Sequence, residues 1–448
     1  MQPPLNHPEY RKLFCAQIMA LIGAGLTTVA LTLLAYQFTP TGAGALLGTV
    51  LAIKMMAYVF FAPIVGGLAH RFNRKLLMVC LDLLRAGVVF ALPFVNETWQ
   101  VFVLIFLLSI FTAGFNPLFQ STIPDLLRHE GDYTRALSFS RLAYDLETLL
   151  SPMLAGLLLL VVTFDSLFIL NGLTFLVSAT LVLMTRLPVR APFNRLGGMA
   201  AQMTFGVRSY LKTPRLRGML ALYVGVAFAS GMVIVNTVVY VRETLGGSEP
   251  QVALALASSG LGSMIAALLI PRLLRDRTDR RVMVLGTVLM SPMLLALAMT
   301  PSLPVLLILW LAIGFGWSLV QTPAGRVVNR SSAPADRDTY YSAQFALTHL
   351  CWLVAYPVVG YLGEYAGIEV AGLVVGSITF GAAMLGYHLW PDPDPRVLTH
   401  THEAGSHTHR HEHDEHHLHD HSDDDHEHEP LIHSHVFVID GQHSSWPH

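Results

Sequence analysis

Residues 218–241 read GMLALYVGVAFASGMVIVNTVVYV, a run without a single charged side chain. A second uncharged run, VFVLIFLLSIFTAGF, covers residues 101–115. A helix that crosses the hydrocarbon core of a bilayer needs about 20 predominantly apolar residues, so both runs predict membrane-spanning helices. The composition agrees, because 53% of the 448 residues are hydrophobic and 13% are charged. In an ordinary soluble domain about a quarter of the residues are charged.

The apolar segments predict an all-α integral membrane protein with two six-helix bundles. The predicted spans cover residues 12–37, 44–69, 76–96, 99–122, 136–163, 166–186, 216–241, 251–271, 282–300, 303–325, 339–363 and 368–390. The resulting domains are an N-terminal bundle (1–186), a basic, proline-containing linker (187–215), a C-terminal bundle (216–391) and a tail (392–448).

Positively charged residues predict the orientation of the spans. Arg71, Arg74, Arg128 and the basic stretch 272–281 all lie in connections on one side, whereas the other side offers Arg242. Because Lys and Arg are enriched in cytoplasmic loops, the basic side is expected to be cytoplasmic, with both termini on it. We therefore expect a multi-pass protein of the bacterial inner membrane.

The two bundles show signs of internal duplication. The basic loop 67–75 follows the second span, and the basic loop 273–281 follows the eighth, about 200 residues later, at a spacing that also relates Gln120 to Gln321. Two six-helix repeats with a binding site between them are typical of secondary transporters.

The loop GLAHRFNRK at residues 67–75 resembles the signature loop between helices 2 and 3 of the major facilitator superfamily. Here His70 stands where the family has an acidic residue and Asn73 where it has glycine, while the second copy keeps the acid as Asp276. The resemblance implies a charge relay that holds the transporter closed on the cytoplasmic side. The candidate gating residues are Gly67, His70, Arg71, Arg74, Asp276, Arg277 and Arg280.

Within that superfamily, the stretch 124–127 (PDLL) together with residues 140–147 (SRLAYDLE) resembles the branch that includes the enterobactin exporter. With the histidine-rich tail added, the whole chain most resembles the NreB-type nickel-resistance exporters. The resemblance implies nickel as the substrate, whereas the chemistry of the side chains alone indicates a borderline divalent metal.

Ionisable residues inside a membrane span are costly and usually mark a pathway, an ion pair or a proton relay. Arg141 and Asp145 of span 5 are four residues apart and can pair. Glu147 lies roughly 200° around the helix from Asp145, without a local partner, and is our candidate metal ligand or proton site. His349 of span 11, the repeat counterpart of span 5, is expected to face a carboxylate across a central cavity. The alternative for His349 is a hydrogen-bonded interior histidine.

Asp82 and Arg85 of span 3 and Lys54 of span 2 form a second charge group. Asp82 is expected to pair with Lys54 or Arg85, and proton coupling through Asp82 is the alternative. Asn116 precedes Pro117, which lacks an N–H group and leaves a backbone carbonyl open. Asn116 is therefore a candidate for lining a polar path or for an interhelical hydrogen bond.

The tail concentrates metal-binding chemistry. Residues 400–448 contain sixteen of the chain's twenty-one histidines and eleven Asp or Glu residues. Neutral imidazole is a ligand for nickel, zinc, copper and cobalt, so the tail is predicted to be a disordered metal-binding segment. Its candidate ligands are His407, His409, His411, His413, His416, His417, His419, His421, His426, His428, His433 and His435. The apolar stretch 436–439 is expected to dock on the membrane domain.

These observations, with the resemblance, predict a secondary transporter that exports a divalent transition metal, Ni²⁺ foremost and otherwise Co²⁺ or Zn²⁺, by proton antiport with alternating access. No cofactor is expected beyond the metal as substrate, and the partners are metal ions, protons and the lipid bilayer. We expect a monomer that binds no nucleic acid and, without a phosphate-binding loop or catalytic triad, no enzyme. The alternatives are a siderophore or drug exporter with a metal-sensing tail and a membrane-anchored metal buffer or sensor.

Overall fold

The computed structural model describes residues 3–38, 43–188, 198–394, 397–402, 431–436, 438–439 and 446. Six long helices form the N-terminal bundle. They are α1 (Pro8–Phe38), α2 (Ala43–Leu68), α3 (Arg74–Ala91), α4 (Thr98–Leu126), α5 (Glu130–Leu158) and α6 (Phe164–Met184). A shorter helix, α7 (Met199–Lys212), follows in the linker.

The C-terminal bundle repeats this plan. It contains α8 (Pro214–Val239), α9 (Glu249–Asp276), α10 (Asp279–Leu295), α11 (Leu303–Gln321), the short α12 (Ala324–Arg330), α13 (Arg337–Tyr365) and α14 (Ile368–Leu389). Short 3₁₀ turns lie at Pro4–Asn6, Ala69–Arg71, Leu92–Phe94 and Ala296–Met299, and a π-helical turn extends α8 over Tyr240–Thr244. The predicted twelve-helix fold is confirmed.

Eleven helices among the described residues are long and apolar enough to cross a membrane. The remaining long helix, α5, carries Arg141, Asp145 and Glu147, which lower its hydropathy, yet it packs between α1 and α9. It begins at Glu130 instead of residue 136, because its first turns are polar and gave no apolar signal. The most charged span is therefore one that lies at the contact between the bundles.

Each bundle has its own apolar core. In the C-terminal bundle, Trp310 is fully buried and donates a hydrogen bond of 2.7 Å to the Thr237 hydroxyl. In the N-terminal bundle, apolar clusters surround Phe168 and Leu118. Large apolar side chains such as Phe60 also cover the outside, as expected of a surface that faces lipid.

The linker helix α7 packs against α2 and α13 and so touches both bundles. A Cβ atom built on Gly67 would lie 2.6 Å from the Met203 Cα and 2.8 Å from the Gln202 carbonyl oxygen, so this contact requires glycine. Burial raises the pKa of the Tyr210 phenol, which stays protonated and donates a hydrogen bond to Gln344. We call the side of the membrane domain that carries α7 the linker side.

The tail contains a two-stranded antiparallel hairpin of β1 (Val397–His402) and β2 (Leu431–Val436). These strands lie within the predicted tail, and residues 403–430 between them lie outside the described residues.

Both ends of the hairpin are anchored on the C-terminal bundle. Before β1, Asp394 forms ion pairs with Arg215 of α8, at 3.2 Å, and with Arg330 of α12. After β2, the carbonyl of Ile439 accepts a hydrogen bond of 2.8 Å from the Tyr340 hydroxyl of α13. Ile439 is 2% exposed, so the described end of the apolar stretch predicted at 436–439 docks on the membrane domain, as expected. Farther on, the ring of Trp446 lies 5.0 Å from the Arg215 guanidinium.

Candidate functional site between the bundles

Three ionisable side chains from three helices are coupled electrostatically where the bundles face each other. Lys54 of α2 lies over the Tyr58 ring, with 5.8 Å between its amine and the ring centre. The Tyr58 ring in turn meets the His349 ring of α13 edge-on at 4.9 Å. Lys54 interacts electrostatically with both His349 and Glu147 of α5. Lys54, Glu147 and His349 are half-buried, and we call them the central triad.

Aromatic rings surround the central triad. His349 packs against Phe345 and Trp352, with ring centres at 4.1 Å and 5.6 Å. Trp352 meets Tyr223 of α8 and donates a hydrogen bond of 3.0 Å to Ser230. His349 Nδ1 lies 2.6 Å from the Phe345 carbonyl oxygen, within its own helix. The site thus combines an acid, a base and an imidazole with large apolar walls.

His349 was expected to face a carboxylate across a central cavity, and instead its ring contacts Tyr58 of α2. The carboxylate linked to His349 is that of Glu147, because Lys54 interacts electrostatically with both residues. This arrangement could not be read from the repeat, because α2 packs closely along α13 and places Tyr58 there.

Arg141 and Asp145 form the predicted ion pair, at 2.8 Å, and they also join the two bundles. The Arg141 guanidinium donates to the Ser263 hydroxyl of α9 at 2.9 Å and to the side chain of Gln321 of α11. Ser263 donates to the Asp145 carboxylate at 2.7 Å. The pair therefore belongs to a hydrogen-bonded network that holds α5 against α9 and α11.

Asp82 and Arg85 lie inside the N-terminal bundle, away from the central triad. Asp82 is 0% exposed, pairs with Arg85 and accepts a hydrogen bond of 2.8 Å from Ser178 of α6. Arg85 is sandwiched between Phe115 and Phe175, at 4.0 Å and 4.5 Å from the ring centres. Of the two partners expected for Asp82, the structure selects Arg85, and Lys54 belongs to the central triad instead.

Asn116 lies in α4 just before Pro117, which stands inside the helix. It is half-buried, and its side-chain amide forms no hydrogen bond with the residues that the structure describes. Its amide is thus available to a polar path, while the alternative of an interhelical hydrogen bond is not seen among those residues.

On the linker side, ion pairs close the gap between the bundles. Arg74 at the start of α3 pairs with Asp125 of α4 at 2.8 Å, and Arg337, the first residue of α13, pairs with the same carboxylate. Arg74 also lies 3.9 Å from Asp338 of α13, which accepts a hydrogen bond from Ser121. Asp125 therefore provides the carboxylate that position 70, occupied here by His70, does not.

A second network closes the other half of the same side. Asp279, the first residue of α10, pairs with Arg326 at 3.0 Å and Arg330 at 3.6 Å. Arg326 also reaches Glu130, the first residue of α5, at 2.7 Å, and so crosses to the N-terminal bundle. Close by, the hydroxyl groups of Tyr133 and Tyr341 lie 2.5 Å apart across the interface.

The remaining gating candidates have different roles from those implied by the resemblance. Asp276 and Arg277 are exposed and form no ion pair with a described residue, because they lie at the very end of α9. Asp279 supplies the acid in their place. Arg280 holds the end of α14 through the Tyr387 carbonyl, at 2.9 Å. Arg71 donates a hydrogen bond of 2.7 Å to Gln202 of α7, and His70 lies in the short turn beside it.

Sequence reasoning missed the roles of several linker-side residues. They are Asp125, Glu130, Asp279, Arg326, Arg337 and Asp338. Each of these residues lies at or near a helix end, next to a connection between spans. This position could have indicated an ion pair, but charges in the connections were used only to predict the orientation of the spans.

The structure places no group of three or more His, Cys, Asp or Glu side chains around a possible metal ion within its described part. The central triad has two such groups, Glu147 and His349. The candidate ligands from His407 to His428 lie outside the described residues, and His433 and His435 lie in β2.

Comparison with known proteins shows a family relationship along most of the chain. A family model described as Major Facilitator Superfamily matches residues 13–240 and again residues 219–437. A Bacillus subtilis protein named "Uncharacterized MFS-type transporter YfiS" is 25% identical over 400 residues, which cover 84% of this chain and 93% of the relative. Macrolide efflux protein A of Streptococcus pyogenes is 25% identical over 185 residues, 40% of this chain and 45% of the relative.

Solved structures show the same fold. The human organic anion transporter MFSD10 superposes with a TM-score of 0.75 at 15% identity, covering 86% of this chain and 100% of the other. The transporter FucP in the outward conformation superposes with a TM-score of 0.65 at 12% identity, covering 85% and 98%.

Proposed function

Because the chain belongs to the Major Facilitator Superfamily, whose members are membrane transporters and not enzymes, we propose that it exports a divalent transition metal, nickel foremost, in exchange for protons. The observation that best supports this proposal is the attachment of the tail to the C-terminal bundle. The histidine-rich segment leaves the C-terminal bundle at Asp394 and returns to it at Ile439, both on the linker side. The metal-binding residues thus start and end beside the gap that the ion pairs close.

The linker side is, in this proposal, the cytoplasmic side of a bacterial inner membrane, since it carries the basic connections. The structure is closed there by the pairs of Asp125 with Arg337 and of Glu130 with Arg326. Loading from the cytoplasm requires these pairs to separate, and release follows when they reform. Rocking of one bundle against the other around a central site is the usual mechanism of such transporters.

The central triad is the proposed site of exchange. Glu147 offers an oxygen and His349 a nitrogen, which suit a borderline divalent metal. Lys54 interacts electrostatically with both, so a bound metal ion and the Lys54 ammonium repel each other. The metal therefore competes with positive charge already present in the site, as antiport requires.

Transport by everted vesicles tests the proposal. Vesicles energised by a proton gradient should accumulate Ni²⁺, or Co²⁺ or Zn²⁺, and accumulation should collapse with an uncoupler. Glu147→Gln combined with His349→Ala should abolish uptake, while Glu364→Gln, a change at an exposed acid of α13, should not. Equal uptake by the double variant would reject the central triad as the site. No uptake of any metal would reject metal export.

An organic substrate is the second candidate, and the aromatic walls around His349 favour it. Macrolide efflux protein A, to which the chain is similar, is by its name an exporter of organic molecules. Resistance profiling separates the candidates: a changed tolerance of macrolides or other organic toxins, with unchanged tolerance of metals, would favour this candidate. A membrane-anchored buffer is excluded if a chain lacking residues 396–448 still confers metal resistance.

A further inference from the structure

A cavity of about 210 Å³ opens between the two bundles on the linker side. It lies between the first two turns of α5, the last two turns of α9 and the short helix α12. Its lining includes three arginines, Arg135, Arg275 and Arg326, and one acid, Glu130. Three guanidinium groups less one carboxylate give the described lining a formal charge of +2. A basic cavity of this kind attracts an anion.

Two of the three guanidinium groups are available to such an anion. Arg275 is exposed and forms no ion pair with a described residue. The ion pair of Arg135 is long, since its Nη1 atom lies 3.9 Å from the Asp132 carboxylate. Arg326, by contrast, is held by the two carboxylates described above. The positive charge that an anion can use thus belongs to Arg135 of the N-terminal bundle and Arg275 of the C-terminal bundle.

The cavity lies at the end of a lipid-facing stripe on α9. The apolar residues Leu254, Leu261, Ile265 and Leu268 are between 37% and 59% exposed. They follow one another at intervals of seven, four and three residues, so they share one face of the helix. Arg275 comes seven residues after Leu268 and continues this face. An apolar chain that lies along α9 therefore ends beside the cavity.

The cavity also lies at the level of lipid headgroups. The apolar span of α9 ends at Asp276, one residue after Arg275, and α5 begins at Glu130. The ends of spanning helices lie in the interfacial region, where lipid phosphates are found. Basic cavities between membrane helices on the cytoplasmic side bind anionic headgroups. Guanidinium groups suit this role, because they form two parallel hydrogen bonds with phosphate oxygens.

We propose that this cavity binds the phosphate headgroup of one anionic phospholipid from the leaflet on the linker side. Arg135 and Arg275 hold the phosphate, and the acyl chains lie along the apolar stripe of α9. The volume of about 210 Å³ is several times the roughly 30 Å³ share of one liquid water molecule, so a phosphate group fits. The headgroup contacts both bundles beside the bridge between Glu130 and Arg326. Binding does not depend on which substrate the protein transports.

Native mass spectrometry of the detergent-purified full chain, stripped of lipid and titrated with phosphatidylglycerol, tests the site. We expect one phosphatidylglycerol molecule per chain to bind more tightly than any that follow. Arg275→Gln and, separately, Arg135→Gln should each weaken this first binding step about fivefold, the contribution of one basic residue near an anionic headgroup. A titration without a distinct first binding step would overturn the proposal.

Arg277→Gln is the matched control. Arg277 is also exposed at the end of α9, but it does not line the cavity. Its replacement removes the same charge and should leave the first affinity unchanged, and both variants should melt at the temperature of the parent. Equal losses of affinity in Arg275→Gln and Arg277→Gln would show that the lipid follows the overall charge of the linker side, and the site would fall.

Two further ligands identify the source of the phosphate. Phosphatidylcholine, whose headgroup has no net charge, should bind more weakly than phosphatidylglycerol. Inorganic phosphate at millimolar concentration should not displace phosphatidylglycerol, because it has no acyl chains to pack along α9. Equal binding of the two lipids would overturn the proposal of an anionic lipid. Displacement by inorganic phosphate that depends on Arg135 and Arg275 would show that the cavity takes a free anion, and the lipid proposal would again fall.

Discussion

Arg337, the first residue of α13, pairs with Asp125 near the end of α4 and so joins the two bundles on the linker side. The second half of the chain repeats this pair with the charges exchanged, since Arg326 reaches Glu130, the first residue of α5. The closed state thus depends on two bridges that the internal repeat relates to each other.

Removal of the Asp125 charge should open the linker side. Asp125→Asn leaves Arg74 and Arg337 without their shared carboxylate, and breaking a nearly buried pair costs about 3–5 kcal/mol. With Cys15 and Cys80 replaced by alanine, Cys351 of α13 becomes a reporter of access. Its alkylation by a maleimide added from the linker side should become at least about tenfold faster, because 1.4 kcal/mol already corresponds to a factor of ten.

The matched control for that prediction is Asp276→Asn, which removes an exposed acid on the same side that has no ion pair among the described residues. Its Cys351 alkylation rate should equal that of the parent. A rate in Asp125→Asn no higher than in Asp276→Asn would mean that the Asp125 bridges do not hold the closed state.

Loss of Arg141 should destabilise the whole membrane domain. Arg141→Met leaves the buried Asp145 with the Ser263 hydroxyl alone, and an uncompensated buried charge costs about 3–5 kcal/mol. The melting temperature in detergent should therefore fall by several degrees. The double variant Arg141→Met/Asp145→Leu should recover most of it, and a double variant as unstable as the single one would contradict this interpretation.

A methyl group at position 67 should displace the linker helix. In Gly67→Ala the new Cβ meets backbone atoms of Met203 and Gln202 at 2.6 Å and 2.8 Å, and backbone cannot yield as a side chain can. Proteolysis in the linker should become faster and the melting temperature lower.

Gly156 of α5 serves as the control, because nothing lies within 4 Å of a Cβ built there. Gly156→Ala should be neutral or stabilising, by up to about 1 kcal/mol from helix propensity. If the two variants melted alike, the close contact with α7 would not matter for stability.

The charge of Lys54 should discriminate between substrates. Lys54→Met removes the cation that acts on Glu147 and His349, so Ni²⁺ should be transported with a lower KM. An anionic organic substrate should show the opposite change. Lys75→Met, at the start of α3, is the comparison, and a KM for Ni²⁺ that rises in Lys54→Met alone would argue against a cationic substrate.

Hydropathy was sufficient to predict the helices, because the bilayer demands long apolar segments wherever the chain crosses it. Even α5, which carries six charged residues, was predicted as a span, although its start at Glu130 lies six residues before the predicted one. The pairing of Arg141 with Asp145 followed from helix geometry alone, since residues four apart share a face.

Contacts between distant helices could not be predicted in the same way. Lys54 was one of two partners expected for Asp82, and the structure instead has it interact electrostatically with Glu147 and His349, because the rotation of α2 against α13 is set by packing. Asp279, and not Asp276, forms the ion pair with Arg326. Which acid of this tight turn points inward cannot be predicted from the periodicity of the sequence. The tail hairpin could not be predicted from local sequence, because it forms by pairing of two segments that lie on either side of the histidine run.

The exchanged charges at the two bridges determine how half-chains can assemble. Two copies of the first half would bring Asp125 of one against Glu130 of the other, and two copies of the second half would oppose Arg326 and Arg337. Like charges at such contacts oppose association, whereas one copy of each half pairs correctly. Partner choice between the halves is thus encoded in four residues, and half-chains expressed separately should combine only as unlike pairs.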